Sequence, residues 1–246
     1  MCIVAVKFDP AERQVELVFN REEKRVRPVT DPAFVNIEAH NRNCRCLVAG
    51  MDYGFLGETR YAGTWLGLNR RGLGIALTNR HDGPKYNAQC SRGLLVLNCL
   101  KYCVTPQEAV DYATQHGLED HPFYNMLVFN IHEMRIVHNE FGNFNTRHLE
   151  PGIHVLSNLN LNDPNDQRVQ YVLFQINRED FLESTKALFQ SHEVLKDNKE
   201  RGHGTVASTI IRLGEKNVDF HHAKVDENLV VSEYTDYSHL TLNYLL

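Results

Sequence analysis

The chain has 246 residues, 42% of them hydrophobic and 23% charged, and carries a formal net charge of −5. This length allows one large domain or two small ones with a sizeable core, and with no internal repeat or linker visible a single domain over residues 1–246 is expected; the balance gives no support for nucleic acid or an anionic membrane as the main partner. No apolar run approaches the roughly 20 residues that a membrane span needs, and no charged leader precedes an apolar segment, which points to the cytoplasm.

The first residues set the central question. Cys2 follows the initiator methionine and opens the apolar, β-branched run Ile3-Val4-Ala5-Val6, which reads as a buried strand. Removal of Met1 would give Cys2 a free α-amino group, a base with a pKa of about 7.7–8.0 that is able to activate a thiol. A small buried packing residue is the alternative for a cysteine in such a run. Residues 2–8 and 14–20 read as two strands joined by the turn formers Asp9 and Pro10, a hairpin that ends in the polar cluster 20–25. A strand out and a strand back bring Asn20 and Arg21 close to Cys2.

Residues 27–60 read as a long loop or cover, broken by Pro28 and Pro32, with one short strand at 46–49. Strands at 64–69 and 72–79 flank a Gly-containing reversal, and Asn79 lies at a strand end, where sites concentrate. Trp65 is the one tryptophan. Ser91 caps a helix over 91–103, and Thr105-Pro106-Gln107-Glu108 is a capping box that opens a second helix to about His116, ended by Gly117. Strands follow at 125–131, 135–140 and 153–157, the last leading into Asn158. A helical stretch at 168–190 breaks near Asn177, 196–204 is a polar loop, and strands at 206–213, 218–222 and 229–234 close the chain. Hairpins and blocks of helices indicate an α+β fold.

The six cysteines show no disulfide framework, and Cys44-Arg45-Cys46 is too tight for a zinc knuckle. Convergence of His203 with His221 and His222 would be needed for a metal site, so no metal is expected.

Several motifs in order carry a family resemblance. They are Met1-Cys2, Asn20-Arg21-Glu22-Glu23, Ala62-Gly63-Thr64-Trp65-Leu66-Gly67, Leu77-Thr78-Asn79-Arg80, Ser91-Arg92-Gly93, Leu156-Ser157-Asn158, and Gly204-Thr205 with Ser208-Thr209. Together they resemble the NRDE family, also called the transport and Golgi organisation protein 2 family, along essentially the whole chain. That family is similar to the N-terminal-nucleophile (Ntn) hydrolases, and the resemblance implies a four-layer α-β-β-α sandwich of mainly antiparallel sheets. The look-alikes are cysteine enzymes that cleave conjugated bile salts and penicillin V, and the acyl-coenzyme A:penicillin acyltransferases.

The resemblance implies the following roles. Cys2 matches the nucleophile, Arg21 the arginine that holds the thiol ionised, and Glu23 (with Glu22 as the alternative) the carboxylate that orients the terminal amine. Asn79 matches the oxyanion-hole asparagine and Asn158 the second asparagine near amine and substrate. Asn20, Trp65, Arg80 and Arg92 are the candidate substrate-binding residues. Three departures stand out: Glu22-Glu23 replaces the usual Asp-Glu, Ala62 replaces a glycine, and Val206 stands where an arginine is expected, with Arg201 or Arg212 as substitutes. The implied activity is an amidohydrolase or acyltransferase acting on an amide or acyl thioester of a small molecule, with no cofactor. The alternative is a non-catalytic carrier of haem, a lipid or acyl-coenzyme A, for which His81 or His203 would be the haem ligands. Monomer and oligomer are both open.

Overall fold

A computed structural model describes residues 2–27, 29–39, 42–56, 59–80, 91–116, 123–140 and 143–241. Strands β1 (Ile3–Asp9) and β2 (Gln14–Lys24) form the expected hairpin, paired from Ile3↔Asn20 to Asp9↔Gln14. The turn is held by the Glu12 amide donating to the Asp9 carboxylate at 3.1 Å. These strands lie at the middle of one antiparallel sheet. With β12 (Gly152–Leu156), β13 (Asp197–Asn198), β14 (His203–Leu213), β15 (Val218–Lys224) and β16 (Thr235–Asp236), the order is β12-β1-β2-β14-β15-β16, and β13 pairs with β14.

The second antiparallel sheet contains β3 (Ala33–Ala39), β4 (Arg42–Val48), β7 (Leu66–Asn69), β8 (Gly74–Asn79), β9 (Tyr124–Phe129), β10 (Met134–Glu140) and β11 (Asn143–His148), in the order β11-β10-β9-β8-β7-β4-β3. A ribbon of β5 (Asp52–Leu56) and β6 (Thr59–Gly63) stands apart. The helices are α1 (Arg92–Tyr102), α2 (Pro106–His116), α3 (Gln167–Gln175) and α4 (Phe181–Phe189).

Strand alternation sorts the side chains into layers. Val4, Val6, Phe8, Leu17 and Phe19 of the first sheet meet Leu68, Ala76, Leu127 and Phe129 of the second in an inter-sheet core. Ile3, Ala5 and Val18 point the other way, onto Val169, Val172, Phe181 and Phe189 of α3 and α4. Ile75, Met126 and Val128 back onto Leu95, Leu100 and Val110 of α1 and α2. The result is the α-β-β-α sandwich. Each buried Val, Leu or Phe contributes about 1.5–3 kcal/mol, so three apolar interfaces hold the layers. No helix among the described residues is long and apolar enough to cross a membrane.

Both caps read from sequence are present. The Ser91 side chain accepts from the Leu94 amide at 3.4 Å. Glu108 donates its amide to the Thr105 hydroxyl at 3.2 Å, and its carboxylate accepts from the Thr105 amide at 3.4 Å. Gly117, the expected end of α2, lies outside the described residues, as do Pro28, His81 and Cys90.

The structure corrects four expectations. The second strand of the hairpin does not stop at residue 20; β2 continues through the polar cluster to Lys24. Residues 27–60 are not a loop, because β3 to β6 occupy most of them. Pro32 falls just before β3, where a strand tolerates proline, and Phe34 and Val35 alternate between the inter-sheet core and the α1/α2 core. β11 has no counterpart among the expected strands; it is a polar, mostly exposed edge strand paired through its backbone to β10. Residues 229–234 do not form a strand. The Asp226 carboxylate accepts from the amides of Asn228 and Val230, each at 2.8 Å, and Leu229 takes a φ of 62°, so the chain doubles back there.

Candidate active site

A cleft of about 310 Å³ opens at the end of the sandwich, where the start of β1, the end of β2, the end of β8 and the start of α1 converge. Cys2 immediately precedes β1 and continues its inward-facing series, so its side chain joins the inter-sheet core at 8% exposure. Its Sγ rests on the backbone of Glu22, receiving the Glu22 amide at 3.4 Å and lying 3.8 Å from the Glu22 carbonyl oxygen. Burial raises the thiol pKa, and the Glu22 carboxylate adds to the rise, while Arg21 opposes it.

Arg21 faces the same side of β2 as Leu17 and Phe19. Its guanidinium lies over Trp65, 4.3 Å from the ring centroid, and pairs with Asp52 and, at 3.8 Å, with Glu23. Asp52 heads β5. It is positioned by the Thr30 amide donating to the Met51 carbonyl at 3.2 Å and by a bridge between Val29 and Asp52. Burial raises the Asp52 carboxyl pKa despite the opposing pull of Arg21.

Glu23 lines the cleft, but its carboxylate is engaged by the Lys24 amide at 2.8 Å and by Arg27 at 3.5 Å, besides Arg21. Glu22 points to the opposite face and forms a buried ion pair with Arg168 of α3. Asn20 also points away: its amide donates to the Phe189 carbonyl at 2.8 Å, and it does not line the cleft. A two-residue period puts Arg21 and Glu23 on one face and Asn20 and Glu22 on the other.

Asn79 ends β8 and lines the cleft on the side of α1. Asn158, just beyond β12, donates its side-chain amide to the Asn79 carbonyl oxygen, and its own Oδ1 is buried with no hydrogen-bond partner among the described residues. Asn158 therefore supports Asn79 from behind. Its loop is stitched to the second sheet by Asn125, whose amide donates to the Leu159 carbonyl at 2.8 Å.

Arg92 lines the cleft and donates to the Phe123 carbonyl at 3.0 Å. It gets there because Gly63 and Gly93 touch: a Cβ on Gly63 would lie 2.7 Å from the Gly93 carbonyl carbon. Trp65 forms part of the wall. Arg80 does not line the cleft. It is buried in a network with Asn125 at 3.1 Å, Asn160 at 3.0 Å and Glu140 at 3.0 Å, where it braces the loop that carries Asn158.

Neither substitute for the missing arginine faces the site. Arg201 is exposed, and Arg212 pairs with Glu16 at 3.1 Å near the far end of β14. Val206 occupies a bulge where β14 shifts register against β2. Lys24 and Arg27 supply the further cations of the cleft. Asp52, Lys24 and Arg27 are the site residues that sequence reasoning missed. The alternation resuming at residue 52, after the strand ending near Ala49, was the signal that could have exposed Asp52.

Among the described residues no group of three His, Cys, Asp or Glu side chains is arranged to hold a metal ion. His203 lines the cleft, whose other walls mix charged and neutral polar residues with Trp65 and Leu77 as the large apolar faces. His222, whose Nδ1 lies 2.9 Å from the Thr209 hydroxyl, has its pKa lowered to about 4 by burial, with Lys224 and Arg21 pushing the same way and Asp31 opposing. The unfolded chain therefore takes up a proton between pH 6.5 and 4 that the folded chain refuses. This contribution to stability is complete above about pH 6.5 and is lost as the pH falls towards 4, on the order of 3 kcal/mol in total. His222→Gln should flatten the acid limb of a urea-midpoint profile; an unchanged limb would exclude His222 as its source.

The layered architecture, with a cleft at the head of the first strand, is that of the Ntn-hydrolase-like fold class. The family model for transport and Golgi organisation 2 matches residues 1–201, and the chain belongs to that family. A transport and Golgi organization protein 2 homolog from Bos taurus is 30% identical over 177 residues, which are 67% of this chain and 59% of that protein. The match thus spans about three fifths of the relative's length. The solved structure of a Caenorhabditis elegans N-acylethanolamine-hydrolyzing acid amidase ortholog superposes with a TM-score of 0.56 at 15% identity, covering 85% of this chain and 92% of that one. A penicillin V acylase from Agrobacterium tumefaciens gives a TM-score of 0.49 at 13% identity, covering 93% and 88%.

Proposed function

We propose that the protein is a cysteine Ntn hydrolase, an amidohydrolase or acyltransferase that cleaves an amide or acyl thioester of a small molecule. The observation that carries this reading is the convergence of Cys2, Arg21 and Asn79, from three separate elements, on one cleft. After removal of Met1, the α-amine of Cys2 takes the thiol proton. The thiolate attacks the carbonyl carbon, and the oxygen takes the negative charge. The Asn79 side-chain amide stabilises that oxyanion. Collapse breaks the C–N or C–S bond; the protonated α-amine returns the proton to the leaving group, and the thioacyl enzyme is released to water or an acceptor amine.

Burial raises the Cys2 thiol pKa and Arg21 only partly opposes it, so the thiol rests protonated and the reaction needs the α-amine to take its proton as the carbonyl is attacked. Glu23 and Asp52 fix Arg21 rather than reacting. Asn158 is a positioning residue that acts through Asn79.

Asn79→Ala should lower kcat by about 10²–10³ with little change in KM, the signature of a donor that acts on the transition state. Steady-state kinetics on amide and thioester substrates turned over by the wild type provides the test. A variant with unchanged kcat would remove Asn79 from the mechanism.

A further inference from the structure

A second cavity of about 690 Å³ adjoins the cleft and shares Arg21, Lys24, Arg27 and Trp65 with it. One molecule can therefore reach both. The charge of the second cavity runs against that of the chain: five cationic side chains line it against two carboxylates, in a protein of net charge −5.

The cations are not equally committed. Arg21 and Arg27 are held by Asp52 and Glu23, and Lys224 pairs with Asp31 at 2.7 Å. Arg25 pairs with Asp197 at 3.3 Å and donates to the Asp226 carbonyl at 2.9 Å. Lys24 makes no ion pair among the described residues. Of the two carboxylates, Asp226 already accepts two backbone amides. A single carboxylate on a ligand needs one cation. A phosphate ester brings about −1.5 to −2 charges and three acceptor oxygens, which suits several donors at once.

We propose that this cavity is a subsite for a phosphate group on the same ligand whose carbonyl reaches Cys2. The assignment of Cys2 rests on the function proposed above; the phosphate subsite stands on its own lining. Lys24 of β2, which makes no ion pair among the described residues, and Lys224 of β15 supply the cations from the two strands that flank β14, and Trp65 lines both chambers.

Trp65 is the only tryptophan, so its fluorescence reports directly on both chambers. Pyrophosphate, titrated at constant ionic strength, should give a saturable change. In the Lys24→Ala/Lys224→Ala variant the midpoint should rise about tenfold or more. Lys224 is largely exposed, so Lys224→Ala alone, which leaves the core untouched, should show a smaller rise in the same direction. A response that does not saturate, or an equal midpoint in the variants, overturns the subsite. Co-sedimentation with phosphatidic acid vesicles separates the sources: vesicle binding without a pyrophosphate response would make the patch a membrane contact and also overturn it. Cys2→Ala should bind pyrophosphate as the wild type does. If it does while an acyl probe fails to label Cys2 in the wild type, the nucleophile assignment falls and the subsite stands. Labelling of Cys2 without pyrophosphate binding overturns the subsite and leaves the nucleophile in place.

Discussion

Replacing Cys2 with alanine should leave a folded protein that no activated acyl probe labels at the cleft and whose turnover drops by about 10³-fold or more. Loss of a nucleophile removes the covalent route and leaves only what binding and the oxyanion donor supply. The structural cost is small, because one sulfur is lost from a side chain at the rim of the inter-sheet core, about 1 kcal/mol. Among the described cysteines, labelling away from Cys2 is a weak competitor, since Cys46, Cys99 and Cys103 are buried at 0%, 0% and 5% exposure within the α1/α2 core. Parallel turnover assays and thermal melts check both halves of this expectation. A Cys2→Ala protein with wild-type turnover would mean that the buried thiol is a packing residue.

The second large effect lies behind the site. Arg168→Ala should destabilise the fold by about 3–5 kcal/mol, because it removes the cation paired with the buried Glu22 carboxylate in the layer between β2 and α3. The Glu22 and Arg168 side chains are 2% and 8% exposed, so water cannot take over the lost partner. For a chain of this size the melting temperature should fall by roughly 10 °C. Adding Glu22→Gln removes the buried carboxylate charge and should recover a large part of the loss. The same pair matters to the chemistry, because the Glu22 backbone is what Sγ of Cys2 rests against. Thermal unfolding of the single and double variants decides it; a melting temperature within about 2 °C of wild type would show that the pair contributes little.

The hairpin of β1 and β2 is legible in the sequence because its apolar runs are long and its turn residues are strong, and that hairpin alone brings Arg21 beside Cys2. The capping motifs at Ser91 and Thr105 are legible for the same reason: they are local. What is not legible depends on partners distant in the chain. Asn20 and Arg21 look equivalent in the sequence, yet alternation turns the first onto α4 and the second into the cleft. Arg80 reads as a neighbour of Asn79, but its charge is spent on Asn125, Asn160 and Glu140. Asp52 lies 31 residues from Arg21 in a stretch whose polar residues hid the β5–β6 ribbon. Edge strands such as β11 escape any hydrophobic pattern, because only their backbone is used. The family motifs identify the fold and the cluster of candidate residues; the division of work among those residues needs the packing.

Everything proposed for the cleft depends on Cys2, freed of Met1, attacking carbonyl carbon. Intact-mass measurement of the purified protein, before and after exposure to an activated acyl ester, tests this most directly. The predicted result is a mass lower by one methionine before exposure, and afterwards a single acyl adduct that maps to Cys2 and is absent from Cys2→Ala. Retention of Met1, or an adduct distributed over other residues with Cys2 unmodified, would contradict it.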